Sequence, residues 1–157
     1  MELPAVREAS DDDVDAIVSL VNRAYEVESF FVSGDRVTPE AVRADLAAGH
    51  VLVVDGADGR AQACVFVSVR GTTGYFGMLA VDPSAQGRGI GRALIALAEA
   101  RARASGCAVM TISVVNVRTD LLAFYRSLGY VPTGQAPYVH RPVSQPVHFV
   151  LMEKPLG

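Results

Sequence analysis

The sequence predicts an α/β domain in which helices flank a mixed β-sheet. The first observation is the order of the predicted elements: two helices, three strands joined by hairpins, then a helix, a strand, a helix and two further strands. The second is length, because 157 residues suit one domain, and a chain of this size buries roughly 68–70% of its unfolded surface. The third is composition, since 50% of the residues are hydrophobic and 20% are charged, as in globular proteins. We therefore expect one domain over residues 1–157.

The first two predicted helices have distinct start and stop residues. Ser10 and the three aspartates that follow it suit the positive end of a helix, and apolar residues then recur at helical spacing. This helix is expected to end near Tyr25-Glu26, and a loop is expected over residues 27–37. The second helix begins at Thr38-Pro39, a cap followed by a first-turn proline, and ends at Gly49.

The rest of the chain alternates predicted strands with two helices. Apolar and β-branched runs predict strands over residues 51–54, 62–69, 75–81, 109–115, 130–132 and 148–153. Helical spacing closed by a glycine predicts helices over residues 92–105 and 119–128. The proline-rich segment 135–146 is expected to be an irregular loop.

A glycine-rich loop at residues 86–91, with the sequence Gln-Gly-Arg-Gly-Ile-Gly, lies between the strand that ends at Val81 and the next helix. Glycines let the backbone approach a ligand, and the first N–H groups of a helix are unpaired and lie at its positive end. The loop therefore predicts a phosphate-binding site. Two common phosphate motifs do not fit. A Walker loop ends in Gly-Lys-Ser/Thr where this chain has Gly-Arg-Ala, and a Rossmann fingerprint would need its third glycine at Arg92 or Leu94.

Charge and cysteine content argue against other classes of function. The formal net charge of −3 disfavours nucleic acid or an anionic membrane as a general partner. Cys64 and Cys107 lie in apolar, strand-like surroundings, which predicts two buried free thiols in a reducing compartment. They lack the paired spacing of a zinc site, so no metal is expected. The N-terminal residues show no secretory signal and no apolar run reaches membrane-spanning length, so we expect a cytoplasmic protein.

Two segments together resemble a known family. Residues 79–83, Leu-Ala-Val-Asp-Pro, followed by the glycine loop and residues 92–94, resemble the motif of the GNAT N-acetyltransferase superfamily. That motif is Arg/Gln-x-x-Gly-x-Gly/Ala at the start of the helix after the central strand. Asn116 and residues 123–130, Ala-Phe-Tyr-Arg-Ser-Leu-Gly-Tyr, resemble the second motif of the family. The resemblance implies a GNAT-like fold: a mostly antiparallel sheet of six to seven strands, splayed at the middle and flanked by about four helices.

The resemblance also implies acetyl-coenzyme A as the acetyl donor. N–H groups of the glycine loop would hold its pyrophosphate, with Arg88 and Arg92 adding charge-assisted contacts. Strand backbone at Leu79 and Val81 would pair with the pantetheine arm, and Asn116 would hydrogen-bond to the arm or instead cap the following helix. The full set of residues expected at the co-substrate is Leu79, Ala80, Val81, Gln86, Gly87, Arg88, Gly89, Ile90, Gly91, Arg92, Asn116 and Tyr125.

For catalysis, the resemblance implies direct attack of a neutral amine on the thioester in a ternary complex, with a backbone N–H of the central strand polarising the carbonyl. Tyr125 is expected to protonate the leaving thiolate, since a tyrosine holds its proton at neutral pH. Many members of the family carry a carboxylate in the central strand, at a position that falls near Gly77 here. The general base therefore stays open between Glu26, Glu28 and a water relay.

The acceptor pocket is expected between the loop after the first helix and the loop before the last strand. The residues expected there are Tyr25, Phe30, Phe31 and Tyr138, with His140 and Arg141 beside them. The aromatic residues favour a partly apolar acceptor, and the nearby glutamates would attract a cationic amine. The expected function is N-acetylation of a small amine, an amino acid, an antibiotic or a protein amine. A non-catalytic acyl-coenzyme A sensor is the alternative, and homodimers are common in the family.

Overall fold

The computed structural model of the protein describes residues 5–139 and 141–157, and within them four α-helices and seven strands. The helices are α1 (Val14–Ala24), α2 (Pro39–Ala48), α3 (Ile90–Ala104) and α4 (Thr119–Ser127). The strands are β1 (Val6–Glu8), β2 (His50–Asp55), β3 (Ala61–Arg70), β4 (Thr73–Val81), β5 (Val109–Val115), β6 (Val131–Pro137) and β7 (His148–Pro155). Short 3-10 helices cover Asp11–Asp13, Tyr25–Phe30 and Pro83–Ala85.

All seven strands join one sheet in the order β1-β2-β3-β4-β5-β7-β6. Every neighbouring pair is antiparallel except β4 and β5, which run parallel. This parallel pair is in register only where residues 73–75 face residues 109–111, and beyond those residues the two strands diverge. The divergence opens a slot in the middle of the sheet, so the prediction of a splayed, mostly antiparallel sheet is confirmed.

A β-bulge interrupts β4 beside this slot. The register with β3 shifts between Gly77 and Ala80, so that Met78 and Leu79 together face one residue of β3. Met78 has a φ of 53°, in the left-handed region that bulky side chains rarely adopt. The bulge also reverses the alternation of side chains: Phe76 packs on the face that carries α3, whereas Met78 packs on the face that carries α1.

Helices cover both faces of the sheet and bury a core on each. The residues of α1 in the first core are Val14, Ile17, Leu20 and Val21. The residues of α3 in the second core include Leu94, Ile95, Ala98 and Ala102. Each fully buried Leu or Ile side chain stabilises the fold by about 1.5–3 kcal/mol. Gly74 lets α3 lie close to β4, because a Cβ at that position would be 2.9 Å from the Cβ of Ala102.

Three parts of the chain differ from the sequence predictions. β1 is missing from the predicted elements, because its three residues carry too little periodicity. Residues 25–30, where a loop was expected from residue 27 onward, continue α1 as a 3-10 helix and bury Glu28. The strand expected at residues 130–132 extends as β6 to Pro137, into the predicted loop. Prolines are tolerated there because β6 is an edge strand that pairs only with β7.

Candidate active site

The slot between the diverging halves of β4 and β5 is the centre of the candidate site. Its cavity has a volume of about 120 Å³. β4 lines it with the bulge residues Met78 and Leu79, β5 lines it with residues 112–115, and the 3-10 helix after α1 contributes Tyr25 and Glu28. A ligand in the slot would meet strand backbone on both sides, because the two strands no longer bond to each other.

A larger cleft of about 500 Å³ adjoins the slot. The end of β4, the glycine loop and α4 line the cleft, and Leu79 and Tyr125 border both cavities. The residues expected at the co-substrate that the cleft brings together are Leu79, Ala80, Val81, Gln86, Gly87, Gly89, Ile90, Gly91, Arg92 and Tyr125. Slot and cleft thus form one path from the start of α3 to the β-bulge.

The start of α3 leaves backbone N–H groups free at one end of this path. Gly89 is the N-cap of α3 and has no side chain to accept a hydrogen bond from them. The first N–H bound within the helix is that of Ala93, which donates to the Gly89 carbonyl at 3.1 Å, so the N–H groups of residues 90–92 remain for a ligand. Gly87 and Gly89 have φ values of 82° and 79°, which only glycine adopts without strain. The loop conformation therefore depends on glycine, and it presents unpaired N–H groups of the kind that bind anions at helix starts.

Side chains already bind two carbonyls of β4 at the cleft. The Gln86 amide donates to the Val81 carbonyl at 3.2 Å, and the Tyr25 hydroxyl donates to the Leu79 carbonyl at 2.9 Å. Each carbonyl oxygen has a second lone pair, so backbone pairing with an amide-rich arm stays available. These bonds hold the end of β4 in place beside α1 and the glycine loop.

Two residues expected at the co-substrate lie elsewhere, and a third reaches across the cleft. Arg88 is exposed and lines a separate cavity of about 580 Å³. Asn116 accepts a hydrogen bond from the His148 N–H at 2.9 Å and lies outside the lining of both slot and cleft. It does not cap α4 either, because Arg118 occupies the N-cap position. Arg92 does lie in the cleft, with its guanidinium carbon 5.5 Å from the ring centre of the α4 residue Phe124.

Tyr125 stands where slot and cleft meet. Its side chain is buried, and its ring packs 6.0 Å from that of Phe76 and 5.3 Å from that of Phe124, measured between ring centres. Burial raises the pKa of the hydroxyl, because the charged phenolate is poorly solvated inside the protein. The hydroxyl therefore carries a proton at neutral and mildly alkaline pH, and the aromatic neighbours hold the ring in place.

The two candidate bases differ in position. Glu28 is 4% exposed and lines the slot, but Arg118 binds one of its carboxylate oxygens at 2.8 Å and Arg141 binds the other. Glu26 is exposed and faces an outer cavity of about 480 Å³. Glu28 is thus the glutamate that reaches the slot, and both of its oxygens are bound by guanidinium groups.

The sequence of residues 14–130 matches the model of the Acetyltransferase (GNAT) family. The matched segment contains the bulge, the glycine loop and most of the slot. The chain belongs to the GNAT acetyltransferase family. The predicted family and enzyme class, an N-acetyltransferase, are therefore confirmed. A search of curated proteins gives no match.

Solved structures of GNAT enzymes share the fold over nearly the whole chain. The ribosomal-protein-S18-alanine N-acetyltransferase of Escherichia coli has a TM-score of 0.81 at 17% identity, covering 98% of this chain and 94% of that one. The protein yncA of Salmonella typhimurium, solved with acetyl-coenzyme A, has a TM-score of 0.74 at 23% identity, covering 99% and 95%. A phosphinothricin acetyltransferase of Sinorhizobium meliloti, in complex with acetyl-coenzyme A, has a TM-score of 0.78 at 17% identity, covering 99% and 90%. Identities this low establish the fold and leave the acceptor open.

None of the helices within residues 5–139 and 141–157 is long and apolar enough to cross a membrane.

In the central strand of this GNAT chain, a tyrosine side chain occupies the space beside Gly77, near which a carboxylate was expected from the family resemblance. A Cβ built on Gly77 would lie 2.3 Å from the hydroxyl oxygen of Tyr75, so the phenol of Tyr75 lies over the glycine. Tyr75 lines the slot, and burial raises the pKa of its hydroxyl. A carboxylate side chain at residue 77 would clash with this ring.

The residues expected at the acceptor separate into two groups. Tyr25 and Tyr138 line the slot. Phe31 is fully buried and packs against Val115, whereas Phe30 is 55% exposed and meets the ring of Phe31 edge to face, with ring centres 4.8 Å apart. Neither phenylalanine borders the slot. Arg141 is engaged by Glu28, and His140 lies outside the described residues.

The lining residues that the sequence did not predict include Arg36, Tyr75 and Arg118. Tyr75 could have been found from strand alternation, because it lies two residues before Gly77 and so on the same side of β4. Arg36 and Arg118 reach the site through contacts between distant parts of the chain, and no local pattern marks them.

Proposed function

We propose that this protein transfers the acetyl group of acetyl-coenzyme A to an amine by direct attack in a ternary complex. The observation that carries the proposal is the continuous path from the free N–H groups of α3 to the bulge of β4. Acetyl-coenzyme A is the co-substrate and supplies the acetyl thioester. The site fits it, because an anion site, an adjoining cleft of about 500 Å³ and a narrow slot follow one another.

Binding of the co-substrate is assigned to the glycine loop and the end of β4. The N–H groups of residues 90–92 would hold the pyrophosphate, with Arg92 adding a charge-assisted contact. Strand backbone from Leu79 to Val81 would pair with the amides of the pantetheine arm. Arg88 and Asn116 lie apart from the cleft and are not assigned a contact with the co-substrate in this proposal.

The chemistry is assigned to the bulge and to Tyr125. A backbone N–H near Leu79 or Ala80 would donate to the thioester oxygen and stabilise the negative charge that develops there. The amine nitrogen forms a bond to the carbonyl carbon while the carbon–sulfur bond breaks. Tyr125 gives its proton to the leaving sulfur. The amine gives up one proton to a base or to water, and that proton returns to Tyr125, so the proton count balances.

The proton lost by the amine has two routes in this proposal. Glu28 is a glutamate at the slot, and its arginine partners hold its side chain in place. A water relay is the alternative, because both oxygens of Glu28 already accept hydrogen bonds. Glu26, which faces the outer cavity, is the more distant candidate.

An acyl-coenzyme A sensor without catalytic activity is the second candidate function. It is favoured by one observation, the phenol of Tyr75 that fills the carboxylate position over Gly77. A cytoplasmic location completes the proposal, and the two buried free cysteines support it, since free thiols persist in a reducing compartment.

The experiment has two arms. Calorimetric titration with acetyl-coenzyme A tests binding, and thiol release is then followed across a panel of small amines, amino acids, aminoglycosides and peptide N-termini. We expect saturable binding and acetylation of at least one class. Binding with no acetylation would favour the sensor, and lack of acetyl-coenzyme A binding would overturn both functions.

A further inference from the structure

We propose that the acceptor carries a carboxylate close to its amine, and that Arg36 binds this carboxylate. The inference rests on the proposed acetyl transfer and names its substrate class, free amino acids and related amino acid-like compounds. It departs from the expectation drawn from the sequence, in which glutamates attract a purely cationic amine.

Arg36 lies at the acceptor side of the reaction centre. It lines both the slot and a neighbouring cavity of about 330 Å³ on the α2 side of the sheet. Its guanidinium carbon is 5.1 Å from the ring centre of Tyr25, whose hydroxyl binds the Leu79 carbonyl at the bulge. One small molecule can therefore reach from the guanidinium to the bulge.

The two arginines that bind Glu28 from beside the slot are already neutralised. Arg118 and Arg141 share the Glu28 carboxylate, and Arg118 also binds Asp120 at 2.9 Å. Arg36 differs from them, because no carboxylate of the described residues lies within 4.0 Å of its guanidinium. Arg36 is thus the arginine in the lining of the slot, and its guanidinium can still form a direct ion pair with a ligand.

Among the described residues around Arg36, none forms a direct ion pair with its guanidinium. Tyr25 and Tyr75 stay protonated, because burial raises the pKa of both hydroxyls. Asp45 lines the same neighbouring cavity, where burial raises the pKa of its carboxyl and the charge of Arg36 lowers it to a smaller extent. The two side chains interact through the cavity without a direct ion pair. Asp35, at the mouth of this cavity, is exposed to solvent.

A half-buried guanidinium is best satisfied by a carboxylate. Its planar fork can make two parallel N–H···O bonds with one, whereas the ring face of Tyr25 provides only a cation–π contact. An amino acid presents a carboxylate within a few bonds of its amine. A peptide N-terminus presents a neutral amide at the same distance, so Arg36 would favour the free amino acid.

The test compares matched acceptors and matched variants. Alanine, methionine, phenylalanine and glutamate are each assayed beside the corresponding α-carboxamide, with wild-type protein, Arg36→Gln and Arg36→Lys. Arg43→Gln is the control, because it removes the same charge from an exposed position of α2 outside the slot. Acetyl-coenzyme A affinity and thermal stability are measured for every variant.

We expect the wild type to prefer acids over amides by about tenfold or more in kcat/KM, as loss of a charge-assisted hydrogen bond implies. Arg36→Gln should lower kcat/KM for the acids by a similar factor, through a higher KM. Its kcat/KM for the amides should stay within twofold of the wild-type value, and its affinity for acetyl-coenzyme A should be unchanged. Arg36→Lys should recover part of the loss, and Arg43→Gln should match the wild type. Equal activity on acids and amides, or an equal loss for both in Arg36→Gln, would overturn the proposal.

A binding measurement separates this inference from the proposed function. The amino acids are titrated calorimetrically into the complex of the protein with coenzyme A. If no amine is acetylated, the proposed function fails, yet binding of the acids that weakens in Arg36→Gln still supports the carboxylate site. Acids that do not bind, or that bind equally to Arg36→Gln, count against it.

Discussion

Tyr125 can donate a proton because its hydroxyl is buried, neutral and placed between slot and cleft. Tyr125→Phe removes one oxygen and keeps the ring that packs against Phe76. General acid catalysis contributes about 10²–10⁴-fold, and a thiolate is a good leaving group, so we expect a loss of about 10–100-fold in turnover. Steady-state assays should show this loss with acetyl-coenzyme A affinity nearly unchanged.

Tyr130→Phe is the matched control for this substitution. Tyr130 is also buried, its ring centre is 5.9 Å from that of Tyr125, and its hydroxyl binds Glu99 at 2.7 Å, away from the cleft. Loss of this hydroxyl should lower the stability of the protein and leave turnover per folded molecule unchanged.

Because burial raises the pKa of the Tyr125 hydroxyl, the neutral form of Tyr125 persists as pH rises. Activity should therefore not fall through Tyr125 at mildly alkaline pH. Unchanged turnover in Tyr125→Phe would remove the acid role.

Single residues at the site differ in how far the sequence reveals them. Tyr125 and the loop glycines stand in motifs, so their positions could be predicted. Asn116 also belongs to a motif, but its side-chain oxygen accepts a hydrogen bond from a backbone N–H of β7. That contact depends on strand pairing. Arg36 belongs to no motif, and only the folded chain brings it beside Tyr25.

The turn into α3 requires glycine at one position and tolerates a side chain at another. A Cβ on Gly89 would meet open space, but its φ of 79° is strained for any other residue. A Cβ on Gly91 would make an ordinary contact of 3.6 Å with Val81. A left-handed backbone costs an L-residue about 1–2 kcal/mol, so Gly89→Ala should weaken acetyl-coenzyme A binding by about tenfold.

Gly91→Ala is the control for the loop, because alanine also suits the first turn of a helix. Calorimetric titration of the two variants with acetyl-coenzyme A, beside their melting temperatures, makes the comparison. Gly91→Ala should bind within about twofold of the wild type. Similar affinities for the two variants would show that the conformation of the loop does not limit binding.

At the level of elements, periodicity predicts the parts of the fold that local sequence controls. The helix starting at Thr38 and the strand over residues 109–115 were predicted with nearly their observed bounds, because a cap residue and a β-branched run mark them. The bulge of β4 could not be placed from local sequence alone. Its extra residue is defined by the register with β3, and its consequence, the reversed side-chain alternation after Phe76, exists only in the sheet.

Across the whole molecule, the Glu28 carboxylate joins three distant segments. It binds Arg118 at the start of α4 and Arg141 in the segment before β7, and it lies in the 3-10 helix after α1. The side chains of these residues are 5%, 11% and 6% exposed in the order Glu28, Arg118, Arg141. The ion pairs therefore fix the outer wall of the slot, and screening by solvent is small.

Glu28→Gln tests whether this residue supports the slot or acts as a base. The substitution keeps the shape but leaves two partly buried guanidinium groups without their carboxylate, and removing one partner of a buried pair typically costs about 3 kcal/mol or more. Urea unfolding should show a drop of that size in the free energy of unfolding, while Glu26→Gln, at an exposed position, should stay within about 0.5 kcal/mol of the wild type.

If Glu28 only supports the slot, turnover per folded molecule should recover at saturating acceptor. If Glu28 is the base, the variant should instead stay slower than the wild type even at saturating acceptor. The loss should be steepest at low pH, where fewer amines are neutral. Unchanged stability in Glu28→Gln would show that the arginines find other partners and that the wall of the slot does not depend on this carboxylate.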